Sequence, residues 1–286
     1  MNEKHTFVHF LLVILFSVVT CIVYWPVRCP SRCTCVPDAI EDELLEVTCK
    51  WSRTASKAQP LANFPRNITK ILSLECDSDF SSELSDDLFA GFSNLQILKI
   101  QNCAVAILPS HLFRGLSALR SLYLYQMALN DLPLTIAENL FDDLRRLEKL
   151  SIIDSHVYSF PEGSLCTVPN LQVLNMSHNW LTSANIGFTP NCSSNQVIIV
   201  DFSHNRISAI RSSDLNAFPI VHHLSVSNNQ ISEVDDDAFH LNTVLQNFDA
   251  SNNQIDKVPN LPGYIIGIMT MVGNALEGEA VTERYH

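Results

Sequence analysis

Cysteine is the residue of this sequence whose number and spacing point most directly to chemistry. The chain contains nine cysteines, and four of them, Cys29, Cys33, Cys35 and Cys49, form a cluster near its amino end. Cysteines at such short spacing either bind zinc or form disulfides. An export signal at the amino end favours disulfides, because exported chains fold in oxidising compartments. Spacing alone leaves three connectivities of this cluster open.

Histidine is the second residue type able to do chemistry, through metal binding or a pH-dependent charge. His178 and His204 lie 26 residues apart, and His222 and His223 follow them. Because no third ligand type accompanies them, we interpret them as surface residues and predict no metal site and no cofactor. The sequence also lacks Gly-x-Ser-x-Gly, His-Glu-x-x-His and a phosphate-binding glycine loop, so we predict that the chain is not an enzyme.

Composition and charge narrow the class of protein further. Of the 286 residues, 47% are apolar, which is typical of a folded chain of one or two domains. Eighteen basic residues oppose 30 acidic residues, and the formal charge is −12. A surface that neutralises phosphates needs the opposite sign, so we predict that nucleic acid is not a partner.

The amino end is typical of a targeting segment. Lys4 precedes an apolar run from Phe7 to Trp25, and small residues at Val19 and Cys21 suit cleavage after residue 21. An uncleaved membrane anchor is the alternative, because about 20 apolar residues span a bilayer. Both interpretations place the rest of the chain in an oxidising compartment, and no later stretch of 18 apolar residues follows. Loss of residues 1–21 leaves eight cysteines, an even number that suits disulfides.

The remainder of the chain is built from one repeated pattern, L-x-x-L-x-L-x-x-N. The repeats begin at Thr69, Leu95, Leu119, Leu147, Leu171, Val197, Val221, Leu245 and Ile266, at spacings of 26, 24, 28, 24, 26, 24, 24 and 21 residues. The fourth and sixth positions are apolar in all nine repeats. The ninth position is asparagine in the last five, namely Asn179, Asn205, Asn229, Asn253 and Asn274. This pattern is that of the leucine-rich repeat.

The pattern predicts an α/β leucine-rich repeat solenoid, a curved horseshoe with parallel strands on its concave face. The alternate leucines of each short strand point inward, and the residues between them face the concave surface. Stacked turns bury these leucines, and the ninth-position asparagines satisfy backbone groups inside the turn. We expect an irregular or briefly helical convex side whose core is filled by Phe89, Phe113, Phe141, Phe218 and Phe239.

The repeat register also suggests two cysteine pairs. Cys166 and Cys192 each precede a repeat start by five residues, so the solenoid stacks them at a separation that suits a disulfide. Cys76 and Cys103 lie 27 residues apart where the repeat spacing is 26, one residue out of register. We expect a bridge there too, with two buried free thiols as the alternative.

Three N-glycosylation sequons are present, at Asn67, Asn175 and Asn191. Asn175 lies between the two inward-facing residues of the fifth repeat, so we expect its side chain on the concave surface. A glycan there disfavours a protein ligand on that repeat.

Two segments resemble known extracellular families. The order Cys29-Pro-x-x-Cys33-x-Cys35, followed by Cys49, resembles the N-terminal flanking domain of extracellular leucine-rich repeat proteins, and this resemblance implies bridges Cys29–Cys35 and Cys33–Cys49. The stretch from Phe160 to Leu181, which contains Cys166, is followed by an insertion over residues 182–191 and by a second cysteine, Cys192. This part of the chain looks like a characteristic piece of invertebrate Toll receptor ectodomains, and Leu74-Glu-Cys76 and Asn102-Cys103 resemble their early repeats.

The Toll resemblance implies an extracellular binding protein that recognises a protein ligand or co-receptor in immune or developmental signalling. It would be secreted, or lie on the outer face of the plasma membrane if part of a longer receptor. The alternative is a secreted or matrix protein of the Slit or proteoglycan kind, used in adhesion or guidance. The ligand-binding candidates are the concave residues of repeats two to four: Lys99, Gln101, Arg120, Tyr123, Tyr125, Gln126, Glu148, Lys149 and Asp154.

These observations predict four segments: a signal peptide over residues 1–21, a cap over 29–67, about nine repeats over 68–274 and a polar tail over 275–286. No cysteine cluster follows Asn274 to form a second cap. An uncovered terminal repeat exposes the core of a solenoid. We therefore expect either a truncated product or a subunit that covers this edge, with self-association through the last repeat.

Overall fold

The computed structural model describes residues 29–41, 43–51, 61, 64–77, 84–189, 192, 196–261 and 267–276. The predicted signal peptide and most of the predicted tail lie outside these residues. Within them, no helix combines the length and the apolar character that crossing a membrane requires.

The fold is dominated by one sheet of eleven strands, to which each turn of the chain contributes one strand. In chain order its members are β1 (Cys33–Pro37), β2 (Leu45–Trp51), β3 (Thr69–Cys76), β4 (Ile97–Gln101), β6 (Ser121–Tyr125), β8 (Lys149–Ile153), β9 (Val173–Asn175), β10 (Ile199–Asp201), β12 (His223–Ser225), β14 (Asn247–Asp249) and β15 (Ile268–Thr270). The first pair, β1 and β2, is antiparallel, and the later neighbours are parallel. This is the predicted leucine-rich repeat horseshoe, with the sheet on its concave face.

The register of the sheet follows the sequence repeat. Leu98 on β4 pairs with Leu122 on β6, and Leu122 pairs with Leu150 on β8. These leucines have no exposed surface, because each lies between the equivalent residues of the turns before and after it. Each turn therefore completes the core of its neighbour, and stability accumulates along the solenoid.

The convex side is mostly turns, with a phenylalanine core beneath them. The five predicted core phenylalanines are buried, and Phe89 stacks on Phe113 with 6.0 Å between ring centroids. The side carries two small two-stranded sheets, β5 (Ile107–Leu108) with β7 (Thr135–Ile136) and β11 (Ala209–Ile210) with β13 (Glu233–Val234). Its helices are 3-10 turns at Arg66–Ile68 and Ser164–Thr167 and one short α-helix, α1 (Ser212–Leu215).

The ninth-position asparagines form a ladder inside the solenoid. The Asn205 amide nitrogen donates to the carbonyl oxygens of Met176, Phe202 and Ser203, at 2.9–3.1 Å. Its side-chain oxygen accepts the Leu181 N–H at 2.9 Å. The same arrangement recurs at the other ladder asparagines, which are Asn179, Asn229, Asn253 and Asn274. The ladder thus satisfies backbone groups that leave the strands unpaired.

The residue before each ladder position adopts a left-handed backbone conformation. In repeats two to nine this eighth position has φ between 50° and 78°, at Asn102, Gln126, Asp154, His178, His204, Asn228, Asn252 and Gly273. Among L-residues, asparagine, aspartate and histidine tolerate this region best, and glycine adopts it freely. The backbone requirement therefore explains seven of these eight residues, the two histidines included, whereas Gln126 has no such preference.

An antiparallel hairpin caps the amino end of the sheet. Cys33 and Cys49 face each other across β1 and β2, and the structure joins them with a Cα separation of 4.1 Å. Cys29 is joined to Cys35 at 5.8 Å. Beside the hairpin, the Lys70 ammonium donates to the Asp38 carboxylate at 2.9 Å, and this ion pair links the first repeat to the cap.

The two remaining disulfides join consecutive turns. Cys166 and Cys192 have Cα atoms 5.0 Å apart, and Cys76 and Cys103 have Cα atoms 4.9 Å apart. The one-residue offset of the second pair has a structural reason. In the first repeat β3 continues through the eighth position, so strand alternation turns Cys76 inward, whereas in the second repeat the left-handed Asn102 makes the next residue, Cys103, the inward one.

Candidate binding face on the concave sheet

Repeats two to four carry the longest strands of the repeat region after β3. The strands β4, β6 and β8 have five residues each, whereas the five strands from β9 onward in the same sheet have three. Strand alternation directs the third, fifth and seventh positions of each repeat to the concave surface. The wider part of the sheet therefore presents side chains over more of its width.

Two tyrosines occupy the centre of this wider part. Tyr123 and Tyr125 point to the same side of β6, and their rings stack with 6.2 Å between centroids and 11° between planes. Each ring covers part of the other, so both are half-buried rather than fully exposed. Burial, with a smaller contribution from Tyr123, raises the pKa of the Tyr125 phenol above its usual value, so the hydroxyl stays protonated at neutral pH.

Two lysines flank the tyrosines on neighbouring strands. The Lys99 ammonium lies 6.0 Å from the centroid of the Tyr123 ring, within cation–π range. Lys149 is exposed at the start of β8. Among the described residues, neither ammonium forms an ion pair with a carboxylate. Gln101 pairs with Tyr125 in the register and completes this cluster, which we call the tyrosine patch: Lys99, Gln101, Tyr123, Tyr125 and Lys149.

The other four predicted residues pair with one another at the borders of the patch. Arg120 and Glu148 precede their strands and form an ion pair across consecutive turns. Gln126 and Asp154 follow their strands, and the amide nitrogen donates to the carboxylate at 3.0 Å. Their polar groups are thus already engaged within the chain.

Repeats five to eight present a different concave surface. Asn175, Asp201 and Asp249 each accept, through a side-chain oxygen, the backbone N–H two residues further along, at 2.9–3.0 Å. These N–H groups belong to small serines, Ser177, Ser203 and Ser251. In repeats five, six and eight these side chains therefore serve the backbone and offer little contact area to a ligand. In repeat seven the equivalent Ser225 hydroxyl contacts the Ser227 hydroxyl at 3.2 Å instead.

Two of the four histidines, His178 and His204, form a ring stack. The rings of His178 and His204 lie 4.0 Å apart and within 10° of parallel, so their in-plane lone pairs do not converge on one ion. His222 and His223 meet edge to face at 6.4 Å. In the described part of the chain, no three metal-ligating side chains are grouped closely enough to hold a metal. Burial, and then the neighbouring His178, lower the pKa of His204 below its usual value.

A second ring stack, between repeats four and five, was not predicted from the sequence. His156 and Trp180 stack with centroids 4.1 Å apart, and the Arg206 guanidinium lies 4.2 Å from the centroid of the Trp180 ring. All three residues follow the ladder position directly in their repeats. Alignment of this tenth column of the repeat would have revealed the stack.

The predicted glycosylation sites fall in different environments. Asn67 is exposed beside the first repeat, and Asn175 is half-buried at the end of β9. Asn191 lies outside the described residues.

Comparisons with known proteins agree with this architecture. The Leucine Rich Repeat family model matches residues 170–194. Toll-like receptor 7 of Drosophila melanogaster is 34% identical over 146 residues, which cover 47% of this chain and 10% of that protein. The structure of the mouse RP105/MD-1 complex matches 79% of this chain and 42% of the compared chain, with a TM-score of 0.53 and 19% identity, a likeness of fold. This chain therefore spans about a tenth of its curated relative.

The sequence comparison and the fold agree with one another. The capped parallel solenoid and the disulfide between Cys166 and Cys192 lie in a chain that is 34% identical, over 146 residues, to a Toll-like receptor. The fold is that of a leucine-rich repeat horseshoe, and over the matched residues the chain resembles a Toll-like receptor.

Proposed function

We propose that this ectodomain recognises a protein ligand or co-receptor through the tyrosine patch on repeats two to four. The observation that carries the proposal is the stacked pair of Tyr123 and Tyr125, with Lys99 above one ring. Tyrosine provides a large contact area with little side-chain entropy to lose, and it is enriched in the residues that dominate binding energy. The rigid sheet beneath it reduces the cost of ordering the surface further.

The rest of the concave face supports this location. In repeats five, six and eight the side chains of Asn175, Asp201 and Asp249 bond to their own backbone. We propose that Asn67, Asn175 and Asn191 carry glycans, and a glycan on Asn175 would border the patch on its fifth-repeat side. The ligand footprint then falls on repeats two to four.

We propose that the protein acts outside the cell. Eight cysteines joined in four disulfides suit an oxidising compartment, and the apolar run before the cap suits an export signal. By analogy with its relative, the binding event would serve immune or developmental signalling by a Toll-type receptor. The proposed domain boundaries are residues 1–21 for the signal peptide, 29–67 for the cap, 68–274 for the repeats and 275–286 for the tail.

Site-specific photo-crosslinking tests the binding face even when the ligand is unidentified. The secreted chain would carry p-benzoylphenylalanine in place of Tyr125 and would be irradiated with medium conditioned by cells of the source tissue. We expect a discrete adduct that is lost when Tyr123→Ala is added. The matched control places the same photoprobe at Tyr158, an exposed tyrosine outside the sheet. Adducts of equal yield from both positions would contradict the assignment of the patch.

A further inference from the structure

We propose that the tyrosine patch selects an acidic polypeptide segment, in which two carboxylates flank an apolar side chain. This inference rests on the proposed function and adds the chemistry of the partner. It concerns one small region of a protein whose formal charge of −12 makes its surface acidic elsewhere.

The tyrosine patch contains hydrogen-bond donors that have no partner among the described residues. The ammonium groups of Lys99 and Lys149 form no ion pair among the described residues. The phenol hydroxyls of Tyr123 and Tyr125 likewise have no hydrogen-bond partner in the described ranges, since the contacts of these side chains are made by the rings. Four donors thus surround one apolar surface, and a carboxylate is the side-chain group that accepts such bonds most strongly.

The positions of the two lysines suit an acidic segment. Lys99 pairs in register with Tyr123, whereas Lys149 pairs with Ser121, two residues earlier on the same strand and from its opposite side. Two strand spacings of about 4.8 Å and an offset of about 7 Å along the strand place their backbones about 12 Å apart. In an extended peptide, residues three or four apart are about 10–13 Å apart. A segment with two or three residues between its acidic side chains therefore spans the two lysines and lays an apolar residue on the tyrosine rings.

The acidic residues nearest the patch leave its lysines unpaired. Glu148 is paired with Arg120, Asp154 keeps its charge while it accepts from the neutral Gln126 amide, and Glu75 faces Gln101 in the register. The overall negative charge disfavours acidic segments on most other surfaces, so the two lysines offer an acidic partner a favourable site.

A synthetic acidic polypeptide tests whether the tyrosine patch selects acidic segments. A random copolymer of glutamate and tyrosine would be titrated against the secreted chain by biolayer interferometry at about 50 mM salt. We expect the double variant K99Q/K149Q to lose at least about tenfold in affinity, and the difference to shrink at about 300 mM salt, because exposed charges are screened. Lys257→Gln removes one positive charge from an exposed lysine paired with Asp236, and it should change the affinity less than about twofold.

Each other outcome overturns the proposal. Failure of the copolymer to bind, or binding of equal affinity to the double variant, contradicts an acidic partner. Stronger, lysine-dependent binding of a heparin dodecasaccharide would assign the patch to sulfated polysaccharide instead. Both lysines are exposed, so circular dichroism should show folded variants. An adduct from the Tyr125 photoprobe without copolymer binding would uphold the proposed function and reject the acidic character of the partner.

Discussion

At the scale of single residues, the backbone determines which residue types occupy the eighth and ninth positions of the repeats. The eighth position of the repeats requires a left-handed conformation, and the ninth requires an amide that donates and accepts inside the turn. His204 and Asn205 occupy these positions in the sixth repeat. Their roles are different, and two experiments separate them.

The ladder asparagines should be costly to remove. Asn205→Ala leaves the buried Leu181 N–H without its acceptor. The carbonyls of Met176, Phe202 and Ser203 each lose one donor and keep another, which comes from Asn179, Asn229 and the His178 N–H respectively. An unsatisfied buried polar group costs about 1–3 kcal/mol, so we expect a loss of about 1–3 kcal/mol. Denaturant unfolding of the purified chain would measure it. Asn216→Ala, on an exposed residue after α1, should cost less than about 0.5 kcal/mol.

The pKa of His204 should depend on its stacked neighbour. Burial and His178 both hold the pKa of His204 below its usual value, so this side chain binds fewer protons in the folded state than in the unfolded state. His204 therefore lowers stability as the pH falls through the ordinary histidine range, about 6.5. In His178→Ala, the His204 pKa should rise but stay below that range, because burial remains. Proton NMR of the ring would follow the titration, and an unchanged His204 pKa would contradict the coupling.

At the scale of elements, the described part of the insertion between the fifth repeat and Cys192 is packed into the structure. Ala184, Ile186 and Phe188 are buried, and the Phe188 ring meets Phe218 edge to face at 5.4 Å. The Leu165 N–H donates to the carbonyl of Gly187 at 2.8 Å. The segment therefore extends the core of the fifth turn, and its glycine is the position that permits this close approach.

Gly187→Ala should destabilise this element through two effects. Its φ is +61°, and a Cβ would lie 2.8 Å from the Leu165 Cγ. Gly115 also has a positive φ, +82°, but a Cβ there meets nothing within 4 Å. Gly115→Ala should thus lose about 1–2 kcal/mol from backbone strain alone, and Gly187→Ala about 1–3 kcal/mol more from the clash. Equal losses in thermal unfolding would show that the insertion yields to the added methyl group.

The disulfides that join consecutive turns can be checked directly. Mass spectrometry of a non-reduced proteolytic digest should contain the linked peptides Cys166–Cys192 and Cys76–Cys103. The double variant C166S/C192S should lose about 2–4 kcal/mol of stability, the usual range for one bridge. Free thiols at these positions in the secreted protein, revealed by alkylation before reduction, would contradict the pairing.

At the scale of the whole molecule, the first and last strands of the sheet, β1 and β15, each pair on one side only among the described residues. The amino-terminal edge carries the disulfide-bonded hairpin of β1 and β2. In the last repeat, Ile268 and Val272 occupy the concave third and seventh positions and are 51% and 54% exposed, whereas the core residues Met269 and Met271 are buried. We propose that this last repeat mediates self-association, because an unpaired edge strand beside exposed apolar side chains is a surface for pairing.

Self-association should depend on those two side chains. The secreted chain should dimerise with rising concentration in analytical ultracentrifugation, and I268D/V272D should shift it to monomer. Ile107→Asp introduces a charge at an exposed isoleucine on the convex side and should leave the dimer intact. In the monomeric variant, the last two repeats should exchange amide hydrogens fastest. A wild-type monomer at all concentrations, with uniform protection, would contradict this assignment.

The sequence by itself determined the repeat, the residues of the core and the horseshoe class. The reason is that a solenoid contacts only its neighbouring turns, so a period of about 24 residues in the chain becomes a stacking period in space. Tertiary structure alone decided which concave side chains meet. Tyr123 stacks on Tyr125, whereas Arg120 and Gln126 engage the next turn. Tertiary structure also decided that the Cys76 side chain points inward and that His178 and His204 adopt a left-handed backbone conformation. The reason is that strand length and backbone dihedrals depend on the packing of adjacent turns.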